Sequence, residues 1–198
     1  MDTIVNTNLD SIYWDNRYLE QQTGWDIGYP STPLKEYFDQ LKDKSNSILI
    51  PGCGNAYEAA YLLEQGFTNV TLVDISPVVT AKVAEQLHQY LHQQLTIITG
   101  DFFQLKGNYD LVVEQTFFCA IDPAIRPLYV KKVKELLAPK GKMVGVLFNR
   151  DFPGGPPFGG SKEEYELLFK AEFSNVKIEP CYNSIKPRQG SELFISIQ

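Results

Sequence analysis

Two glycines one residue apart, Gly52 and Gly54, stand where the apolar run "SILI" (residues 47–50) gives way to a helix-like stretch. Asp74 follows 20 residues after Gly54, and Asp101 lies further on in "TGDFF". Glycine lets a turn bend tightly and lets a ligand approach the backbone, because it tolerates positive φ and has no side chain to intrude. A carboxylate about 20 residues beyond such a turn can accept both hydroxyls of a ribose. An acidic residue followed by an apolar one, here Asp101 and Phe102, can hold an adenine amino group and pack its ring. Together these residues read as a nucleoside site. "GCGNAY" has only the first two glycines of G-x-G-x-x-G, with Tyr57 at the third place. "GPPFGGSK" has Ser161 and Lys162 in the wrong order for a phosphate-binding loop and no strand directly before it.

The elements that must position these residues alternate. Strands are expected at residues 47–50, 69–74, 95–99, 109–115 and 142–148. Helices are expected at 56–66, 76–94, 122–139 and 161–173, with Ser76 as a cap and Pro77 at the first position of its helix. Two strands, 175–183 and 192–198, close the chain with no helix between them. Alternation implies a parallel sheet with helices on both faces, and the last pair implies an antiparallel hairpin at one edge. The first 46 residues differ: a helix over 9–22 capped by Asp10 or Ser11, a loop rich in Gly, Pro and aromatics, and a short helix with Pro33 in its first turn. In such a sheet ligands bind beyond the carboxyl ends of the strands, where the strand order reverses, and Gly52, Gly54, Asp74 and Asp101 all fall at that end. A nicotinamide dinucleotide wants the missing third glycine under its pyrophosphate. S-adenosylmethionine has no pyrophosphate, and the closing hairpin is a hallmark of the common methyltransferase fold, so it is the expected cofactor.

The chain has 198 residues, 43% hydrophobic and 21% charged, which suits a single domain. Its net charge of −6 and scattered basic residues argue against nucleic acid as a partner; "KKVK" at residues 131–134 reads as a solvated helix face. No stretch approaches the roughly 20 apolar residues of a membrane span. "MDTIVNTNLD" has neither the basic start nor the apolar run of a signal peptide. Cys53, Cys119 and Cys181 form no CxxC or zinc pattern, so the expectation is a reduced, cytoplasmic protein. His88 and His92 have metal-compatible i, i+4 spacing, but the segment is polar and lacks a third ligand, which makes a solvated face the better reading. Cys53 and Cys119 read as small buried side chains, so no covalent or metal role is assigned.

"YWDNRYLEQQTGWDIGYPSTPL", "LIPGCGNAYEAAYL", "VDIS", "GDFF", "VVEQTFFCAIDPAIRPLYVKKVKELLAPKGKM" and "GGPPF" together resemble the thiopurine S-methyltransferase family, most of all its branch of plant and microbial thiol and halide methyltransferases. The resemblance spans residue 13 to the last strand. It implies a Rossmann-like S-adenosylmethionine-dependent methyltransferase with a mostly parallel seven-stranded sheet. It also implies cofactor contacts at Trp14, Trp25, Gly52, Asp74, Asp101 and Phe102, with Glu114 or Gln115 beside them; Gly54 and Ile75, next to these, complete the expected cofactor set. Residues 1–46 would then be a helical lid, and a sulfonium is attracted to an aromatic face by about 0.5–2 kcal/mol. Animal members of the family place an arginine where this chain has Gln115, which points the acceptor toward a small thiol, bisulfide, thiocyanate or halide rather than a purine, unless Arg126, Arg150 or Arg188 supplies charge. Tyr13, Phe118, Phe148 and Phe158 are expected to line a small, dry acceptor site. A soft nucleophile of this kind needs little proton removal, so no catalytic base is required. An oxygen- or nitrogen-directed methyltransferase would need one, from Glu114 or Tyr13. A nicotinamide-linked oxidoreductase and a non-catalytic nucleoside-binding module are the readings from other classes.

Overall fold

The computed structural model describes residues 9–198. The start of the expected lid and of the quoted N-terminal stretch, residues 1–8, lies outside the described residues. Thirteen regular elements follow in chain order: α1 (Ser11–Leu19), α2 (Thr32–Asp39), β1 (Ile48–Pro51), α3 (Tyr57–Glu64), β2 (Val70–Asp74), α4 (Pro77–Gln86), β3 (Leu95–Thr99), β4 (Tyr109–Gln115), α5 (Arg126–Leu136), β5 (Leu137–Phe148), α6 (Lys162–Lys170), β6 (Val176–Pro180) and β7 (Glu192–Ile197). The strands form one sheet in the order β3-β2-β1-β4-β5-β7-β6. β3, β2, β1, β4 and β5 run parallel, and β7 is antiparallel to both of its neighbours. The expected closing hairpin is present, with one refinement. Its reversed strand, β7, lies one place in from the edge, and β6 is the outermost strand.

The central strands are buried on both faces, and their side chains alternate between two cores. Leu49, Val73, Val112 and Met143 pack with Tyr129 and Val133 of α5 and Phe169 of α6. Ile48, Leu72, Val113 and Val144 pack on the opposite face with Leu34 and Phe38 of α2, Leu62 of α3 and Val83 of α4. Two expected boundaries move. α4 ends at Gln86 rather than continuing to residue 94: a 3₁₀ turn over His88–Tyr90 follows, and His92 takes a left-handed φ of 61°. Leu87, Tyr90 and Leu91 pack on the core from in and around that turn. α5 stops at Leu136, and β5 begins at once at Leu137. Its register against β4 jumps from Tyr109↔Leu137 to Leu111↔Lys142, so the expected Pro139–Gly141 stop is a bulge within the strand. Among the described residues no helix is long and apolar enough to cross a membrane.

Candidate functional site

β1 and β4 are neighbours, while the chain runs outward from β1 through β2 to β3 before returning to β4. The strand order therefore reverses between β1 and β4, and a cavity of about 290 Å³ opens at their carboxyl ends. Gly52 sits at that point with φ +57°. A Cβ there would come within 2.3 Å of the Phe117 ring, which descends from the end of β4. Gly52 is thus required twice, by its backbone conformation and by the ring pressed against it. Gly54, at φ +51°, faces the Tyr18 hydroxyl of α1.

Asp74 ends β2 beside this turn. Its Oδ2 accepts the Gly54 N–H at 3.1 Å and its Oδ1 accepts the Ser76 N–H at 3.0 Å. An ionised carboxylate has about four lone-pair sites, so two remain for a ligand's hydroxyls. Burial pushes the Asp74 carboxyl upward, and the two backbone donors oppose that shift. Asp101 accepts the Phe103 N–H at 2.9 Å and caps the short turn that buries Phe102. Asp101 thus caps a turn, Asp74 holds the approach to α4, whose own cap is Ser76, and both aspartates line the cavity.

Of the residues expected to hold the cofactor, Trp14, Trp25, Gly52, Gly54, Asp74, Ile75, Asp101, Phe102 and Gln115 line this one cavity. Glu114 does not. It is fully buried beneath the wall, where Oε1 accepts the N–H groups of Phe117 and Phe118, each at 2.8 Å, and Oε2 accepts the Tyr129 hydroxyl at 2.6 Å. Its role is to hold the loop after β4. Burial pushes its carboxyl up to about 7 against those three hydrogen bonds.

None of the residues expected at the acceptor site, Tyr13, Phe118, Phe148 and Phe158, lines the cavity. Phe118 is 1% exposed and packs among Tyr129, Tyr165 and Phe169, with the Arg126 guanidinium 4.6 Å from its ring centroid. Phe148 lies under the Arg188 guanidinium and against Phe152. Phe158 folds against Gly155, and its N–H is tied to the Cys119 carbonyl at 2.6 Å. Tyr13 packs edge-on against Trp14. The wall is built instead by Phe117, Ile121, Ile125, Pro156 and Pro157. The prolines belong to the "GGPPF" motif, and Phe117 is the immediate neighbour of the residue expected.

Sequence reasoning also missed Tyr18, Asp26 and Asn55. The Asp26 carboxylate accepts from the Asn55 side-chain amide, from the Gly28 N–H at 2.7 Å and from the Tyr57 hydroxyl at 3.3 Å. Trp25, next to it, meets Trp14 and Tyr18 edge-on at 5.7 and 5.9 Å.

Five carboxylates line the cavity, those of Asp26, Glu58, Asp74, Asp101 and Asp122, and among the described residues no Lys, Arg or His does. The arginines that could have supplied charge are committed elsewhere. Arg126 pairs with Glu164 at 2.8 Å, Arg150 lies over Phe152, and Arg188 pairs with Glu192 at 3.4 Å and donates to the Trp25 carbonyl. Burial pushes the Cys119 thiol up to about 12 and Cys53 well above its ordinary range, so both stay protonated. His88 and His92 are exposed, and no cluster of three or more His, Cys, Asp or Glu that could hold a metal occurs among the described residues.

This cavity suits a cationic nucleoside. The turn offers backbone without side chains, the strand ends offer carboxylates, the N-terminal segment offers aromatic faces, and the buried Gln115 Oε1 has no partner within the protein. The family model described as thiopurine S-methyltransferase matches residues 9–193. The chain is 28% identical over 184 residues to a probable thiol methyltransferase 2 of Arabidopsis thaliana, covering 90% of this chain and 81% of that one. It is 30% identical, at the same coverage, to thiocyanate methyltransferase 1 of Brassica oleracea. Among solved structures it is similar in fold to a Burkholderia thailandensis 1,6-didemethyltoxoflavin-N1-methyltransferase with bound 1,6-didemethyltoxoflavin and S-adenosylhomocysteine. The TM-score is 0.72 at 20% identity, over 93% of this chain and 84% of that one.

Proposed function

Given that the chain belongs to the thiopurine S-methyltransferase family, we propose that it is an S-adenosylmethionine-dependent methyltransferase whose acceptor is a small, soft nucleophile, foremost a thiol or bisulfide, with thiocyanate and halides as further candidates. The observation that carries this reading is the composition of the cavity wall: carboxylates at the ends of two adjacent strands, aromatic faces above, and, among the described residues, no cationic side chain.

When bound, S-adenosylmethionine supplies a methyl group activated on a sulfonium. The protein's own task is then to bind, orient and exclude water. Asp74 would take the ribose hydroxyls, Asp101 and Phe102 would hold the adenine, and Trp14 and Trp25 would give the sulfonium aromatic faces. The acidic lining favours a ligand of net positive charge. On the acceptor side, Phe117, Ile121, Ile125, Pro156 and Pro157 present no side-chain donor, acceptor or charge. Such a wall recognises little beyond size, and it strips water from a thiolate that needs no strong base. A purine thiol would find on these five side chains no polar group for its ring nitrogens, whereas a small, weakly hydrated nucleophile needs none. The oxygen- or nitrogen-directed alternative loses its two candidate bases, because Glu114 and Tyr13 are both off the wall.

The test is a methyl-transfer assay with S-adenosylmethionine against bisulfide, an aryl thiol, thiocyanate and iodide, with headspace detection of volatile products. Turnover of bisulfide or the thiol at least tenfold above that of a catechol or an amine is expected. Transfer only to hydroxyl or amine acceptors, or to none of the panel, would overturn the proposal.

A further inference from the structure

The N-terminal segment is held in an unusual way. None of the residues of α1 is buried, and Ile12 and Leu19 are 66% and 67% exposed, so the helix does not dock by burying an apolar stripe. Tyr18 packs against the core and Arg188 donates to the Trp25 carbonyl, and beside these contacts two carboxylates attach the segment. Asp15 Oδ1 accepts the Ser76 hydroxyl and the Val78 N–H at 3.2 Å, at the N-terminus of α4. Asp26 accepts from Asn55 and Tyr57 at the N-terminus of α3. Each anchor point adjoins a cofactor turn. Ser76 is fully buried and donates its N–H to Asp74, while Asn55 follows Gly54, whose N–H Asp74 also accepts. A hydrogen-bonded path therefore runs from Asp15 through Ser76 and Asp74 to Gly54. Asp26 grips the same glycine turn from its other side.

We propose that Asp15 and Asp26 are positioning residues: they clamp the N-terminal segment onto the two turns that hold the cofactor, so that docking of the segment and retention of the cofactor are coupled. The proposal rests on reading the cavity as the cofactor site. A group that stabilises the docked segment and a ligand that prefers it must favour one another by the same factor. The contacts are charge-assisted, Asp15 faces the positive end of a helix, and both lie partly out of water, where such bonds are strongest.

The chain carries two tryptophans, Trp14 and Trp25, and both belong to this segment, so fluorescence excited selectively at tryptophan, beyond the absorption of the 11 tyrosines, reports on it. The experiment compares wild type with Asp15→Ala, Asp26→Ala and Ser76→Ala, the last removing the hydroxyl that Asp15 accepts, together with the cap of α4, while the Val78 N–H remains. Acrylamide quenching is measured with and without S-adenosylhomocysteine, together with the dissociation rate of that ligand and the urea midpoint. Each variant is expected to quench more readily than wild type without ligand, and to release S-adenosylhomocysteine at least fivefold faster. The urea midpoint of Asp15→Ala and Asp26→Ala should stay close to that of wild type, because neither is part of the sheet core. Wild-type quenching in all three variants would overturn the proposal. So would faster release with unchanged quenching, which would mark a local defect at Asp74. If wild type bound no S-adenosylhomocysteine, the cofactor reading would fail, while quenching without ligand would still decide whether the two carboxylates hold the segment.

Discussion

Phe117 and Phe118 are adjacent in sequence and opposite in role. Which of them faces the cavity is decided by Thr116, a β-branched residue held at φ 62°, where such residues seldom lie. The left-handed step breaks the alternation of the preceding strand, sending Phe117 over Gly52 and Phe118 into the core. No period in the sequence reveals that step, which is why the ring that lines the cavity is the neighbour of the one expected. The two rings separate by experiment. Phe118→Ala opens a cavity in packed core and should cost about 3–5 kcal/mol in urea unfolding. Phe117→Ala should cost less in stability and lower kcat/KM for the acceptor at least tenfold. A Phe118→Ala protein of wild-type stability but low turnover would contradict this placement.

At the scale of elements, the end of β4 depends on one carboxylate. Glu114 gathers the loop through two backbone N–H groups and Tyr129, yet burial outweighs those bonds and lifts its carboxyl from 4.5 to about 7. A carboxyl whose folded pKa is raised binds its proton more tightly in the native state. Its stabilising contribution is full below about pH 4.5 and is lost as pH rises through about 7. Wild type should therefore lose stability relative to Glu114→Gln between those values, as urea midpoints of both proteins across that range would show. A difference independent of pH would contradict the burial argument. Glu114 was legible as a strand-end acid. Its direction was not, because Glu114 and Gln115 face opposite sides of the strand and either could have met a ligand. The end of α4 was hidden for a related reason, since Leu87, Tyr90 and Leu91 continue a helical spacing that the chain satisfies with a 3₁₀ turn.

For the molecule as a whole, alternation of buried strands with capped helices was enough to read the doubly wound sheet and its closing hairpin. Carboxylates at consecutive strand ends pointed to the cavity that opens there. The N-terminal segment was harder: its aromatic residues suit either a core layer or a cover, and the contacts of Asp15 and Asp26 with distant turns, 61 and 29 residues away along the chain, help set its place. The architecture brings that segment, the glycine turn and the ends of β2 and β4 around one acidic, aromatic cavity. The claim that this cavity holds an adenosyl cofactor, with Asp74 on its ribose, is tested most directly by calorimetric titration of S-adenosylhomocysteine into wild type and Asp74→Ala. The account predicts binding to wild type and at least a tenfold loss in the variant; equal uptake by the two proteins would contradict it.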